Sequence, residues 1–348
     1  MKLQKLILVT ASFLLMSCGG TASTSSSTAA SSATATSTTT TSTTTTSTTT
    51  TSEAEATSEA TTTASVDVSS LESKYGDLEI TVGDSSVTGA SVSYDSTNNI
   101  YTLAVCAEKA EYVVTGYATT SIVISDVNNL GEGNYKGVKL TLSNAALVSS
   151  TDDPVIEYTC SKKNVQLSVK NGTNNVIYAT NGGDAVYSEN NVEVSGKGSL
   201  AISSVADGHG IKAEGDITFQ GSNSVTIDSG HDGLHCENLV TTDPDDSTSV
   251  YAGTVTIASA VSQGIEAATD DGDGTITLDG GNWNISNAES VFKTDTAITI
   301  ASGVKVTGTN ISGDAIVFGD NSTSSITLTV NGTFTVDGAS YSSQTIEQ

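Results

Sequence analysis

What most constrains this chain is a short phrase that recurs along its length: an acidic or polar residue followed two positions later by an aliphatic. It reads Asp184-Ala-Val186, His209-Gly-Ile211, Asp232-Gly-Leu234, Gln263-Gly-Ile265, Glu289-Ser-Val291 and Asp314-Ala-Ile316, with Asp153-Pro-Val155 as an earlier member. Successive aliphatics from Val155 to Ile316 stand 31, 25, 23, 31, 26 and 25 residues apart. A period of that size predicts a solenoid.

The content of each period decides which solenoid. Two further alternating runs lie between markers, such as Val192/Val194 then Leu200/Ile202, and Ile217/Phe219 then Val225/Ile227. Gly, Asn, Ser and Asp separate them, so each repeat reads as three short strands and their turns. No window carries a helical period. With the aliphatics inward and each strand pairing with its counterpart one coil away, at roughly 4.8 Å, the expected fold is all-β, a parallel β-helix of three-strand coils. General β-connection preference makes it right-handed. The Leu/Asn consensus of a leucine-rich repeat is missing, as are the four strands per blade of a propeller.

The N-terminal region reads as an address. Lys2 and Lys5 precede the apolar run Leu6 to Leu15, too short to span a membrane, and Leu15-Met16-Ser17-Cys18 resembles a lipobox. Residues 1–18 are therefore expected to be a lipoprotein signal peptide, with Cys18 lipidated and the protein exported to the bacterial surface. Residues 19–65 are almost wholly Ser, Thr and Ala, with acids only at Glu53, Glu55 and Glu59. Such a segment cannot bury apolar surface and is expected to be a disordered stalk, with a reach of about 35–40 Å. Residues 66–348 are expected to form one monomeric β-helix domain. Its first part, Val66 to Leu147, lacks the marker and is read as early irregular coils and the cap a solenoid end requires. Cys106, Cys160 and Cys236 read as small buried hydrophobes, the last two about three coils apart and too distant to bond.

The formal charge of −26 comes from 39 acids against 13 bases, all of them Lys. Such a surface repels nucleic acid and anionic lipid, so neither is an expected partner, and contact with membrane is through the lipid anchor alone. It attracts cations, and in an exported protein rich in Asp/Asn/Gly turns the cation expected is Ca²⁺.

In a solenoid, equivalent residues stack into columns. Two positions before the marker aliphatic run Asp184, His209, Asp232, Gln263, Glu289 and Asp314; three positions after it run Glu189, Glu214 and Glu237. Stacked carboxylates repel unless a cation sits among them. Asp270-Asp-Gly-Asp-Gly274 resembles part of a calcium loop without its closing Glu. The calcium ligands expected from these patterns are Asp184, Glu189, Glu214, Asp232, Glu237, Asp271 and Asp273, with Asp243 to Asp246 a further acidic run. The positions flanking the aliphatic are expected to face outward. One row is small (Ala185, Gly210, Gly233, Gly264, Ser290, Ala315) and lets another chain approach; the other carries Tyr187, Lys212, His235, Glu266, Phe292 and Val317. Tyr187, His209, Lys212, His235 and Glu266 are thus the expected grip on an extended polymer. His209, His231 and His235 lack a Cys pair at ligand spacing, which leaves zinc and hydrogen bonding to sugar or a turn both open.

Lys163 to Ile177, Gly208-His-Gly-Ile-Lys212, His231-Asp-Gly-Leu-His235 and Gln263-Gly-Ile-Glu266 resemble the successive motifs of a bacterial carbohydrate-binding β-helix family first recognised in cellulolytic clostridia. The resemblance covers roughly Thr115 to Ile316. It implies a right-handed, pectate-lyase-like β-helix that binds calcium and plant polysaccharides such as polygalacturonate without established catalysis. It places Asp207, Lys212, Asp232, His235 and Glu266 on the binding face and adds Asp207 to the metal ligands. The family's acidic pair is altered here to Asp207-Gly-His and Ser262-Gln-Gly.

The leading expectation is Ca²⁺-dependent, non-catalytic binding of an acidic or cellulosic wall polysaccharide. Polyuronate lysis, a chemistry that lives on the same architecture, needs a base. Pectate-lyase families use Arg or Lys, and here Lys212 alone lies on the marker row. A protein-directed surface adhesin is the third class, which fold cannot separate from the others.

Overall fold

The computed structural model describes residues 68–348 apart from 132–133, 243–248 and 323–324. The signal segment with Cys18, the stalk at 19–65 and the acidic run at 243–246 lie outside the described residues.

The alternation in the sequence becomes strands whose burial alternates with it. Val165–Val169 and Thr275–Leu278 each bury every second residue. From Ile156 onward each coil contributes three strands, as in Val186–Ser188, Val192–Gly196 and Ser199–Ser204, then Ile211–Ala213, Ile217–Phe219 and Ser224–Ser229. Among the described residues these gather into two sheets. A 10-stranded sheet takes the marker strand of each coil, and a 19-stranded sheet takes the other two. Neighbours one coil apart run parallel and in register, Val192 against Ile217 and Leu200 against Val225. The chain is the parallel solenoid of three-strand coils that the repeat predicted.

A continuous apolar core runs inside the coils, stacked mainly from Val, Leu and Ile. Aromatic side chains fill its wider parts. Phe219, Tyr251 and Trp283 meet with ring centroids 5.4–6.1 Å apart, and the Trp283 indole N–H donates to the Gly280 carbonyl at 3.0 Å. Cys106, Cys160 and Cys236 are free and buried, in keeping with their reading as small hydrophobes.

The N-terminal part differs from expectation in two ways. Val68–Tyr75 is a helix, although no helical period was read. Its Leu71 packs with Ala146, Val148 and Val176 on the outside of the 19-stranded sheet. The spacing Val68, Leu71, Tyr75 is helical, but eight residues hold too few apolar positions to stand out among Ser and Thr. The coils before the markers are also regular rather than irregular. Ile100–Ala104 and Ser121–Ser125 are parallel members of the 10-stranded sheet, with Ile122 opposite Ile156. Antiparallel pairs close both ends: Val92–Asp95 on Ile100–Ala104, Glu79–Val82 on the strand Ala110–Thr119, and Gln344–Glu347 on Ser325–Val330.

Candidate functional site

The marker strands place one side chain per coil on the outer face of the 10-stranded sheet. Backbone pairing fixes that row as Glu157, Tyr187, Lys212, His235, Glu266 and Lys293. The expected members Tyr187, Lys212, His235 and Glu266 are all in it and Val317 continues it, but the expected Phe292 is buried in the core. Val186 pairs with Ile156, not Val155, and Ile265 pairs with Phe292, not Val291. Both coils carry two adjacent buried apolar residues, Val155-Ile156 and Val291-Phe292, and the alignment had chosen the first of each pair. Correcting it brings in Glu157 and Lys293. It also puts Ser290 rather than Glu289 opposite Gln263.

The same pairs explain why the small row does not face outward. The chain turns a corner as it enters the marker strand, so two consecutive residues point inward before alternation resumes. A Cβ on Gly210 would come 2.4 Å from Ile227 Cγ2, and one on Gly264 would come 2.5 Å from Ile285 Cγ2. Ala185, Ser290 and Ala315 are likewise buried. This row is a packing requirement of the core and offers no approach to a ligand.

Within the outward row, contacts run from coil to coil. The Lys212 ammonium lies 5.8 Å from the Tyr187 ring centroid and 3.3 Å from Glu214. Burial first, then Glu214 and Glu189, push the Tyr187 phenol up to about 12, so it remains a neutral donor. Lys293 pairs with Glu266 at 3.1 Å and with Asp320 at 3.3 Å. Burial opposes the Lys293 charge, but these carboxylates outweigh it and hold its pKa above the ordinary value.

Beside this row the strand entrances bury a polar cluster centred on Asp232, which is fully enclosed. His209 Nδ1 lies 2.8 Å from Asp184 Oδ1, an oxygen that also accepts the His209 backbone N–H at 2.8 Å. His209 Nε2 lies 3.4 Å from Asp232 Oδ2. His231 and His235 bring their Nδ1 atoms to 3.0 and 3.1 Å from the same oxygen. Asp232 Oδ1 accepts the Gln263 backbone N–H at 2.9 Å. The Gln263 side-chain nitrogen, turned to satisfy its partners, donates to Asp232 Oδ1 at 3.0 Å and Glu266 Oε2 at 3.1 Å. Burial alone would raise the Asp184 and Asp232 carboxyls, yet their histidine hydrogen bonds hold both below the usual range. Burial also disfavours the His209 cation, and the two carboxylates overcome this to raise it to about 9. His209 is thus a part-buried imidazolium clamped between two carboxylates.

A second cluster opens next to His235. Glu214, His235, Glu237, Asp270, Asp271 and Asp273 line a cavity of about 340 Å³. Glutamate column and Asp-Gly loop, read separately in the sequence, meet here. Burial first, then Asp216, Asp273, Glu214 and Asp271, hold the Glu237 carboxyl above its ordinary value, the sign of carboxylates forced together. All donors from the acids are oxygen, the set a hard cation takes. Glu189 is exposed at the other end of its column, and Asp207 is exposed in the turn before Ile211. Neither lines this cavity.

One feature was missed in the sequence. Lys109, Lys136, Lys162 and Lys163 line a groove of about 670 Å³ together with Glu108 and Glu193. Lys109, Lys136 and Lys163 stand 27 residues apart, one coil each, so the repeat itself carried the signal. Lys109 and Lys136 precede the first marker, where no recurring phrase sets the frame of a column.

A family model for carbohydrate-binding domain-containing proteins matches residues 97–348, which include the outward row, both clusters and the lysine groove. No curated protein and no solved structure matches the chain.

Proposed function

We propose, from the premise that the chain belongs to the carbohydrate-binding domain-containing family, that the outer face of the 10-stranded sheet binds an acidic or cellulosic polysaccharide and needs calcium to do so. The observation that carries this reading is the meeting of Glu214, Glu237, Asp271 and Asp273 in one cavity beside His235 of the outward row. Carboxylates that already repel one another gain most from a cation, and calcium's six to eight oxygen ligands leave positions for a sugar hydroxyl or uronate. The residues present fit the ion. Tyr187 supplies a flat face for a sugar ring, while Lys212 and Lys293 supply positive charge to an acidic chain. The lysine groove offers such a chain a further contact on a protein whose net charge would otherwise repel it. Lipidation at Cys18 and the Ser/Thr stalk would display the module at the bacterial surface.

Retention of the full chain on polygalacturonate and on cellulose, with calcium and with excess EDTA, tests the reading. Retention lost on chelation and weakened by monovalent salt is the expected result. Binding undiminished in EDTA would sink the calcium requirement, and failure on both polymers would sink the substrate class.

The second reading is polyuronate lysis with Lys212 as its base, since Glu266 and Asp320 hold Lys293 in its charged form; ultraviolet-absorbing unsaturated product in the same mixtures would establish it.

A further inference from the structure

The chain contains three histidines, and all three aim a ring nitrogen at one oxygen. His209 Nε2, His231 Nδ1 and His235 Nδ1 lie 3.4, 3.0 and 3.1 Å from Asp232 Oδ2, from two neighbouring coils. A buried carboxylate needs a partner, and one histidine would serve. Three imidazoles gathered on one carboxylate form a mixed nitrogen and oxygen donor set, which suits zinc, copper or nickel rather than calcium. Ligand atoms ~2.0–2.2 Å from a zinc-class ion stand ~3–3.5 Å apart, a spacing that His235 and Asp232 meet at 3.1 Å, with Glu266 within 4.8 Å of both.

Asp232 belongs to two overlapping triads, His209/His231/Asp232 and Asp232/His235/Glu266, in each of which one ligand atom per residue lies within 4.8 Å of the others. His209 is committed at both ring nitrogens, to Asp184 and to Asp232. In the second triad Glu266 is paired with the Lys293 ammonium at 3.1 Å and the Gln263 amide at 3.1 Å, contacts a divalent ion can replace, whereas His209 is held between two carboxylates. We propose that Asp232, His235 and Glu266 bind a divalent zinc-class ion, with His209 positioning Asp232 by clamping it to Asp184. His235 is part-exposed on the outward row and also lines the acidic cavity. The ion therefore sits at the ligand face with its remaining coordination positions toward solvent, next to the all-oxygen cavity and chemically distinct from it. The inference does not depend on calcium binding.

The test is calorimetric titration of the untagged, chelator-stripped full chain with zinc in the presence of saturating calcium, followed by cobalt substitution to read the ligand field. One equivalent of zinc is expected, with visible cobalt bands of a nitrogen- and oxygen-ligated ion. Affinity should drop by about tenfold or more in His235→Ala and in Glu266→Gln and stay unchanged in Thr256→Ala on the other sheet. His235 is part-exposed, and circular dichroism of its variant verifies that the coils persist. Absence of zinc uptake, or uptake unaltered in both ligand variants, overturns the proposal. Loss confined to His231→Ala overturns this ligand assignment. Calcium-dependent glycan retention is scored separately, so a failed zinc titration leaves that reading standing.

Discussion

Two outward ladders, one from each sheet, are built on the same backbone at the same spacing and differ in chemistry. On the 19-stranded sheet one ladder runs Val176, Ala201, Thr226, Thr256, Asn284, Thr307, Thr335. On the 10-stranded sheet it runs Val123, Glu157, Tyr187, Lys212, His235, Glu266, Lys293, Val317, ionisable from Glu157 to Lys293. Threonine fits a pleated, half-buried surface and needs no charged partner. Since the threonine ladder serves the coil, the ionisable one is not demanded by strand formation. On the function proposed above, its desolvation costs are borne for the ligand.

The sharpest way to break that contrast is to compare one residue from each face. Asp232→Ala strands the His209 cation and two further imidazoles and is expected to cost about 3–5 kcal/mol. Thr256→Ala is expected to cost about 1 kcal/mol or less. Urea denaturation of both variants measures the difference, and similar losses would mean that the two faces are equally structural.

Ligand binding should separate the faces nearly as strongly. Glu237→Gln combined with Asp273→Asn is expected to lower calcium affinity by about tenfold or more and to reduce glycan retention with it. With calcium stripped, the same pair should melt slightly higher than the parent, because a mutual repulsion has been removed. A lower melting temperature would show that these acids serve the fold.

A pH profile sharpens the comparison further. Folding raises His209 from 6.5 to about 9, so its stabilisation is complete below pH 6.5 and is lost as pH rises through about 9. Asp184 and Asp232 are lowered from 3.8, and their contribution is present above that value and lost in acid. The melting temperature should therefore decline from pH 6.5 toward 9, and His209→Gln should flatten that decline. An unchanged slope would remove His209 as its source.

The smallest effect concerns the polymer. Lys212→Met and Lys293→Met should each weaken retention on polygalacturonate by about two- to fivefold, the scale of a part-exposed ion pair. Thr307→Ala on the opposite face should leave it unaltered. Loss of product in the Lys212 variant, were cleavage observed, would instead favour the lyase reading.

The sequence made the coil legible because each marker aliphatic has to be buried and each intervening run alternates. It made Tyr187, Lys212, His235 and Glu266 legible for the same reason, as the residues after those aliphatics. It failed where two apolar residues stand together, since Val155-Ile156 and Val291-Phe292 give periodicity no means of choosing the paired member. Lys293 was lost to that ambiguity, and the supposed outward small row came from carrying strict alternation round a corner. Convergence of His209, His231 and His235 on Asp232 depends on how coils stack in space. Spacing along the chain shows only that they are near.

The glycines beneath the marker aliphatics have a consequence for how such a protein diversifies. Gly210, Gly233 and Gly264 admit no side chain, so the backbone entering these three marker strands has almost no mutational freedom. The part-exposed residue two positions on, Lys212 or His235, has a great deal. Each coil thus offers one replaceable letter on a fixed line of type. Lineages built on this scaffold can change what they hold by single substitutions, or by exchanging whole coils, while inheriting the same core.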